Sequence, residues 1–132
     1  MTSEIDRLLA EARQQLARLG PRQAAMEMRR GALLVDMRPV EQRRRDGEIP
    51  GAVVVDRNVL EWRLDPTSPD RIAQVSGREQ TVILLCNEGY ASSLAAATLQ
   101  RLGMVNATDV DGGFQEWAAA GLPVRRHEGS YG

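Results

Sequence analysis

With 132 residues, a formal net charge of −1, 17 arginines and no lysine, the chain suits one domain and shows no charge excess marking a nucleic-acid or membrane surface. Its single cysteine excludes an internal disulfide, and with only one histidine beside it the three or four ligands of a zinc site are lacking. No basic-then-apolar leader and no bilayer-length apolar run stand out, so a cytoplasmic protein without metal or cofactor is expected.

In chain order, Ser3 is placed to cap a first helix with the apolar stripe Ile5, Leu8, Leu9, Ala12 and Leu16. Gly20-Pro21 ends it, and Pro21 suits the first turn of a second helix through Arg30, closed by Gly31. Residues 1–18 read as an accessory helix packed on the domain, the alternative being a dimer contact; residues 19–126 are the domain and 127–132 a tail holding a solvated His127. Residues 32–35 read as a buried strand running into Asp36-Met37-Arg38, and Pro39 opens a short helix. Gly47 to Gly51 is a loop, residues 52–55 a second buried strand and residues 60–64 a helix. Pro66 and Pro69 break that helix, and Ser68 is placed to cap another to Val75. Residues 81–85 form the third strand, 92–102 a helix and 107–110 the fourth strand; Gly112-Gly113 opens a last helix through Ala120. Strands apolar on both faces and separated by helices specify an α/β fold, a central parallel sheet with helices on both faces. Polar groups at carboxyl ends of strands (Asp36 with Arg38, Asp56 with Arg57, and the loop after Leu85) would then meet in one crevice.

The cysteine stands at the third of these ends. Cys86 follows the apolar run Val82-Ile-Leu-Leu85, where the chain leaves the sheet. In Asn87-Glu88-Gly89-Tyr90-Ala91 the glycine can take positive φ, so successive amides can turn inward as an anion nest. Ser92 and Ser93 then open a helix, whose N-terminus adds to the stabilisation of a thiolate. A nucleophile seated in a nest is the reading that this spacing favours over an inert core thiol.

The loop resembles the active-site loop of the rhodanese-like sulfurtransferases, six residues that begin with the catalytic cysteine and have glycine fourth; Cys86 and Gly89 match. Leu33-Leu-Val-Asp-Met-Arg38 is similar to the family's early strand with its Asp-x-Arg signature, making Asp36 and Arg38 a structural pair. Gly47-Glu-Ile-Pro-Gly-Ala52 is similar to its Gly-His-Ile-Pro-Gly-Ala element, with Glu48 in place of the usual histidine. Gly112-Gly-Phe-Gln-Glu-Trp117 and Gly121-Leu-Pro-Val124 resemble its closing helix and tail, so the likeness runs over about residues 19–124.

The resemblance implies a single-domain enzyme that carries sulfane sulfur on Cys86 from a donor such as thiosulfate or a persulfide to a thiol, cyanide or sulfur-carrier protein. It implies that Asn87, Glu88, Gly89, Tyr90, Ala91 and Ser92 cradle the sulfur. From their places beside the crevice, at least one of Arg57 and Arg63 is expected to bind an anionic donor, Tyr90 to wall the pocket, and Trp62 and Trp117 to pack in the core or its rim. Glu88 sets a carboxylate two residues after the nucleophile, which either points to water or disfavours a dianionic donor. The alternative within the family is a non-catalytic module for protein interaction or redox sensing. Cysteine phosphatases and arsenate reductases share the loop design but carry an oxyanion-clasping arginine six positions after the nucleophile; Ser92 stands there in this chain.

Overall fold

The computed structural model describes residues 2–128; of the expected tail, residues 129–132 lie outside them. Helices α1 (Glu4–Gln14) and α2 (Pro21–Arg29) precede strand β1 (Leu33–Asp36), α3 (Val40–Asp46) and strand β2 (Val53–Val54). A 3₁₀ turn (Arg57–Val59) leads into α4 (Leu60–Leu64); β3 (Val82–Leu85), α5 (Ala91–Arg101), β4 (Ala107–Asp109) and α6 (Gly113–Ala119) complete the chain. The four strands form one parallel sheet in the order β2-β1-β3-β4. Among the described residues no helix is long and apolar enough to cross a membrane.

Every residue of β1 and β3 is buried, and their period of two divides the core between the faces. Leu33, Val35, Val82 and Leu84 meet Leu60, Leu64, Ala95, Ala96 and Leu99 on one side. Leu34, Ile83 and Leu85 meet Ala24, Phe114 and Trp117 on the other. Both faces are therefore covered by helices, as the apolar runs specify. The chain steps from β1 outward to β2 and then back across to β3. The crevice at such a reversal of strand order is where open parallel sheets bind ligands, and Cys86 leaves β3 there.

Three expected elements differ. Residues 68–75 form turns rather than a helix: the Ser68 hydroxyl accepts from Asp70 N at 3.0 Å and Ile72 N donates to the Arg63 carbonyl at 2.9 Å, so local side-chain bonding takes over from the helical ladder. Strand β2 is a two-residue edge with Val54 exposed, because only β1 pairs with it. Helix α1 stops at Gln14, and residues 17–19 run extended beside β4, with Leu19 bridged to Val110. Trp117 is buried and donates from Nε1 to the Pro123 carbonyl, whereas Trp62 stands mostly in solvent.

Candidate active site

Cys86 is buried at the end of β3, and its loop wraps the sulfur. Gly89 N–H donates to Sγ at 3.1 Å and Ser92 N–H at 3.4 Å, while Ser92 Oγ lies 3.2 Å away. The inward turn needs φ +87° at Gly89, where a Cβ would come within 2.8 Å of Gly112 N. The loop's carbonyls are held on the outside. Cys86 O accepts from Phe114 N at 2.8 Å and Asn87 O from Gln115 N at 3.1 Å. Because each peptide is planar and trans, a carbonyl pinned outward turns the next N–H inward, so the N-terminus of α6 helps to build the nest. Gly113 makes that approach feasible: at φ +61° a Cβ there would lie 2.5 Å from Cys86 O and 2.8 Å from Asn87 C.

A cavity of about 290 Å³ opens over the cysteine, lined by Met37, Arg38, Arg57, Asn87, Glu88, Tyr90 and Ala91 among others. The expected cradle residues thus gather at one place. Glu88 and Tyr90 stand on the exposed rim, and Gly89 and Ser92 lie beneath, against the sulfur. Arg57 also faces this space but is shared with Glu61 at 2.9 Å. Arg63 does not line it: its guanidinium donates to the Asp70 carbonyl at 2.7 Å, held there by the turn that replaced the expected helix. Asp36 and Arg38 form a buried pair. Asp36 accepts from Arg38 N and Nε at 3.0 Å, and Arg38 Nη2 also donates to the Gly47 carbonyl at 2.8 Å. The Phe114 ring covers that guanidinium at 3.9 Å, so β1, the residue 47 loop and α6 meet around one cation.

Several residues escaped the sequence reading. Asp109, buried at the end of β4, accepts from both Ser92 Oγ and Ser93 Oγ at 2.7 Å and from Arg18 Nε at 2.8 Å. Arg13 and Arg18 both donate to the Gly89 carbonyl, at 2.6 and 3.0 Å. These partners lie 76 and 71 residues apart in the chain, and no spacing rule in one sequence joins them.

His127 is not solvated. Its Nδ1 lies 2.7 Å from Glu48 Oε2, which also accepts from Arg43 Nη1 at 2.7 Å. Residues 48 and 125 exchange backbone hydrogen bonds, each of 2.8 Å, so the tail brings an imidazole beside the position where the family's usual histidine is replaced. Burial pushes the Glu48 carboxyl up, but the hydrogen bonds and charges of His127 and Arg43 outweigh it and leave it below its ordinary 4.5. A lowered carboxyl contributes stability that is complete above its unfolded value and lost as pH falls through its folded one. Acid unfolding of the wild type should therefore include a Glu48 component below about pH 4.5. Glu48→Gln should cost about 1 kcal/mol at neutral pH and flatten the loss of stability below that point. Denaturant midpoints from neutral pH into that acid range check this, and parallel curves for the two proteins would contradict it.

A cysteine held in an amide nest at the crevice of a parallel sheet is the arrangement of cysteine-loop α/β proteins, and comparison with known proteins narrows that class. The model of the rhodanese-like domain matches residues 20–120. The chain is 32% identical over 102 residues to the thiosulfate sulfurtransferase GlpE of Pseudomonas savastanoi, covering 77% of this chain and 87% of that one. The solved structure of a protein of unknown function from Rhodopseudomonas palustris, called a "possible tyrosine phosphatase", superposes with a TM-score of 0.83 at 31% identity, over 95% of this chain and 96% of that one. The polysulfide-sulfur transferase homodimer of Wolinella succinogenes shares the fold, with a TM-score of 0.75 at 20% identity over 96% and 90% of the two chains. This protein belongs to the rhodanese-like domain family.

Proposed function

We propose that the protein is a sulfurtransferase working through a Cys86 persulfide. The observation that carries this reading is the pair of amides, Gly89 N and Ser92 N, directed at Sγ. Backbone N–H groups aimed at a sulfur stabilise negative charge on it without reorganising during the reaction. The Cys86 thiolate attacks the outer sulfur of thiosulfate; an S–S bond forms, and the bond to the sulfonate breaks with its electron pair leaving on sulfite. Cyanide or an acceptor thiolate then attacks the terminal sulfur and returns the electron pair to Cys86. The donor's sulfane sulfur carries the oxidising equivalent, so neither half requires an external oxidant or reductant. A glutathione-type persulfide or a sulfur-carrier protein fits the same sequence of steps, and the cytoplasm is the proposed location.

The name given to the Rhodopseudomonas relative raises phosphate-ester hydrolysis as the competing chemistry. Six positions after Cys86 stands Ser92, where a phosphatase carries its arginine, so the loop itself supplies no fork to clasp a phosphoryl group against the nucleophile. Parallel-line initial-rate plots with thiosulfate and cyanide, and no hydrolysis of an aryl phosphate, are the expected outcome; the reverse pattern would replace sulfur transfer with hydrolysis.

The cavity rim sets donor preference by charge. Arg57 faces the cavity with a side chain 40% exposed, so its removal should raise the Michaelis constant for thiosulfate about fivefold with a smaller change in maximal rate. Glu88, on the same rim, opposes a dianion, and Glu88→Gln should lower that constant about twofold at low salt. A less negative persulfide donor should respond less to either change. Unchanged constants in both variants at low ionic strength would take the rim charges out of donor selection.

A further inference from the structure

The segment ahead of the family domain reaches into the sulfur loop. Residues 17–19 lie along the outer edge of β4: Thr108 Oγ1 donates to the Ala17 carbonyl at 2.9 Å, Leu19 N to the Asp109 carbonyl at 3.1 Å, and Asp111 N to the Leu19 carbonyl at 2.8 Å. This anchoring aims Arg18 across the end of the sheet. Its Nε and Nη2 hold the Asp109 carboxylate at 2.8 and 3.2 Å while Nη2 also donates to the Gly89 carbonyl at 3.0 Å. Arg13, in the last turn of α1, donates to the same carbonyl at 2.6 Å and to Ser93 Oγ at 3.1 Å, with its guanidinium 5.7 Å from the centre of the Tyr90 ring. Two cations therefore share one peptide oxygen of a six-residue loop.

We infer that Arg13 and Arg18 are positioning residues for the Cys86 nucleophile, holding the Gly89 peptide so that its neighbours' N–H groups face the sulfur. The carbonyls of Cys86 and Asn87 are already pinned by α6; the Gly89 carbonyl is the third, and beside a 3.3 Å contact from Ser93 Oγ its two charged pins come from outside residues 20–120 that match the family model. Holding that oxygen outward with two guanidinium groups fixes the planar peptide after Gly89, and with it the turn that carries the two amides donating to Sγ, Gly89 N–H and Ser92 N–H. Through Asp109, Arg18 also orients the Ser92 hydroxyl that lies 3.2 Å from Sγ. Only an arginine fork spans a carboxylate and a carbonyl at once. Partial burial lowers the proton affinity of Arg18, but Asp109 chiefly, then Asp111 and Cys86, more than reverse this and keep the guanidinium charged. The role builds on the sulfur-transfer reading above but concerns the thiolate itself, and it can be measured without a sulfur donor.

The test is the pH dependence of Cys86 alkylation by iodoacetamide in the full chain. Other charges facing the thiol are Arg38, Arg57 and Glu88 around the cavity and Asp109 behind Ser92, and all four are kept. Arg13→Ala should slow alkylation below neutral pH about threefold and Arg18→Ala about tenfold, with the profile moved to higher pH. Arg18→Lys should fall between Arg18→Ala and wild type. Arg7→Ala, on the exposed side of α1 where Arg7 pairs with Glu11, should match wild type. Mere loosening of the fold has the opposite sign, since exposing a buried thiol speeds alkylation at every pH. Should Arg18→Ala fail to fold, Arg13→Ala and Arg18→Lys still decide. Faster or unchanged alkylation in folded Arg13→Ala overturns the proposal, whether or not the protein transfers sulfur.

Discussion

Cys86→Ser is expected to abolish sulfur transfer, by about a thousandfold or more, while leaving the fold intact. A serine oxygen fits where Sγ sits and can accept the same Gly89 and Ser92 amides, so the loop loses no partner. What disappears is a nucleophile able to carry a sulfur atom, and the chain has no second cysteine to replace it. Unfolding midpoints close to wild type with transfer at background are the expected pair of results. Transfer within tenfold of wild type would mean that another group carries the sulfur.

Gly113→Ala should be nearly as damaging, by a different route. The added Cβ would meet Cys86 O at 2.5 Å and the Asn87 carbonyl carbon at 2.8 Å, both main-chain atoms that cannot swing aside. The positive φ adds strain of its own. Relief requires α6 to move off the loop, breaking the bonds from Phe114 N and Gln115 N that hold its carbonyls outward. Stability should fall by about 3 kcal/mol or more. Turnover in the folded fraction should drop about a hundredfold, the expected effect of a displacement near 1 Å at the reacting centre. Gly121→Ala is the comparison: φ is +75° there too, but a Cβ meets nothing within 4 Å, so only the strain applies and turnover per folded molecule should be unchanged. Equal behaviour of the two variants would show that contact with the cysteine loop is not what Gly113 provides.

The parts of the site that were legible in the sequence are those made by neighbours in the chain. A buried strand, Val82 to Leu85, ending in cysteine and followed three residues later by glycine, specifies a turn where the chain leaves the sheet, and the Cys86 loop turns at the carboxyl end of β3. Asp36 and Arg38, two residues apart, form the buried pair that the early signature implies. The illegible parts depend on tertiary approach. An arginine such as Arg13 on an amphipathic helix reads as solvated until the helix docks on α5 and brings it to Gly89. His127 reads as a tail residue until the bridge between residues 48 and 125 brings it to Glu48. Residues 68–75 carry a plausible cap in Ser68 but no amphipathic stripe strong enough to outweigh turn bonding. Arg63 was misplaced for the same reason, since those turns supply the Asp70 carbonyl that holds it.

The central claim is that sulfur rests on Cys86 between the two half-reactions, and the intact mass of the protein tests it most directly. Wild-type protein, reduced and then exposed to thiosulfate or a glutathione persulfide, should gain the mass of one sulfur atom, carried on the peptide containing Cys86 and removed by cyanide as thiocyanate forms. Cys86→Ser should gain none under the same conditions. A wild-type mass unchanged by either donor and by mercaptopyruvate, with the protein folded and its thiol free, would contradict the account.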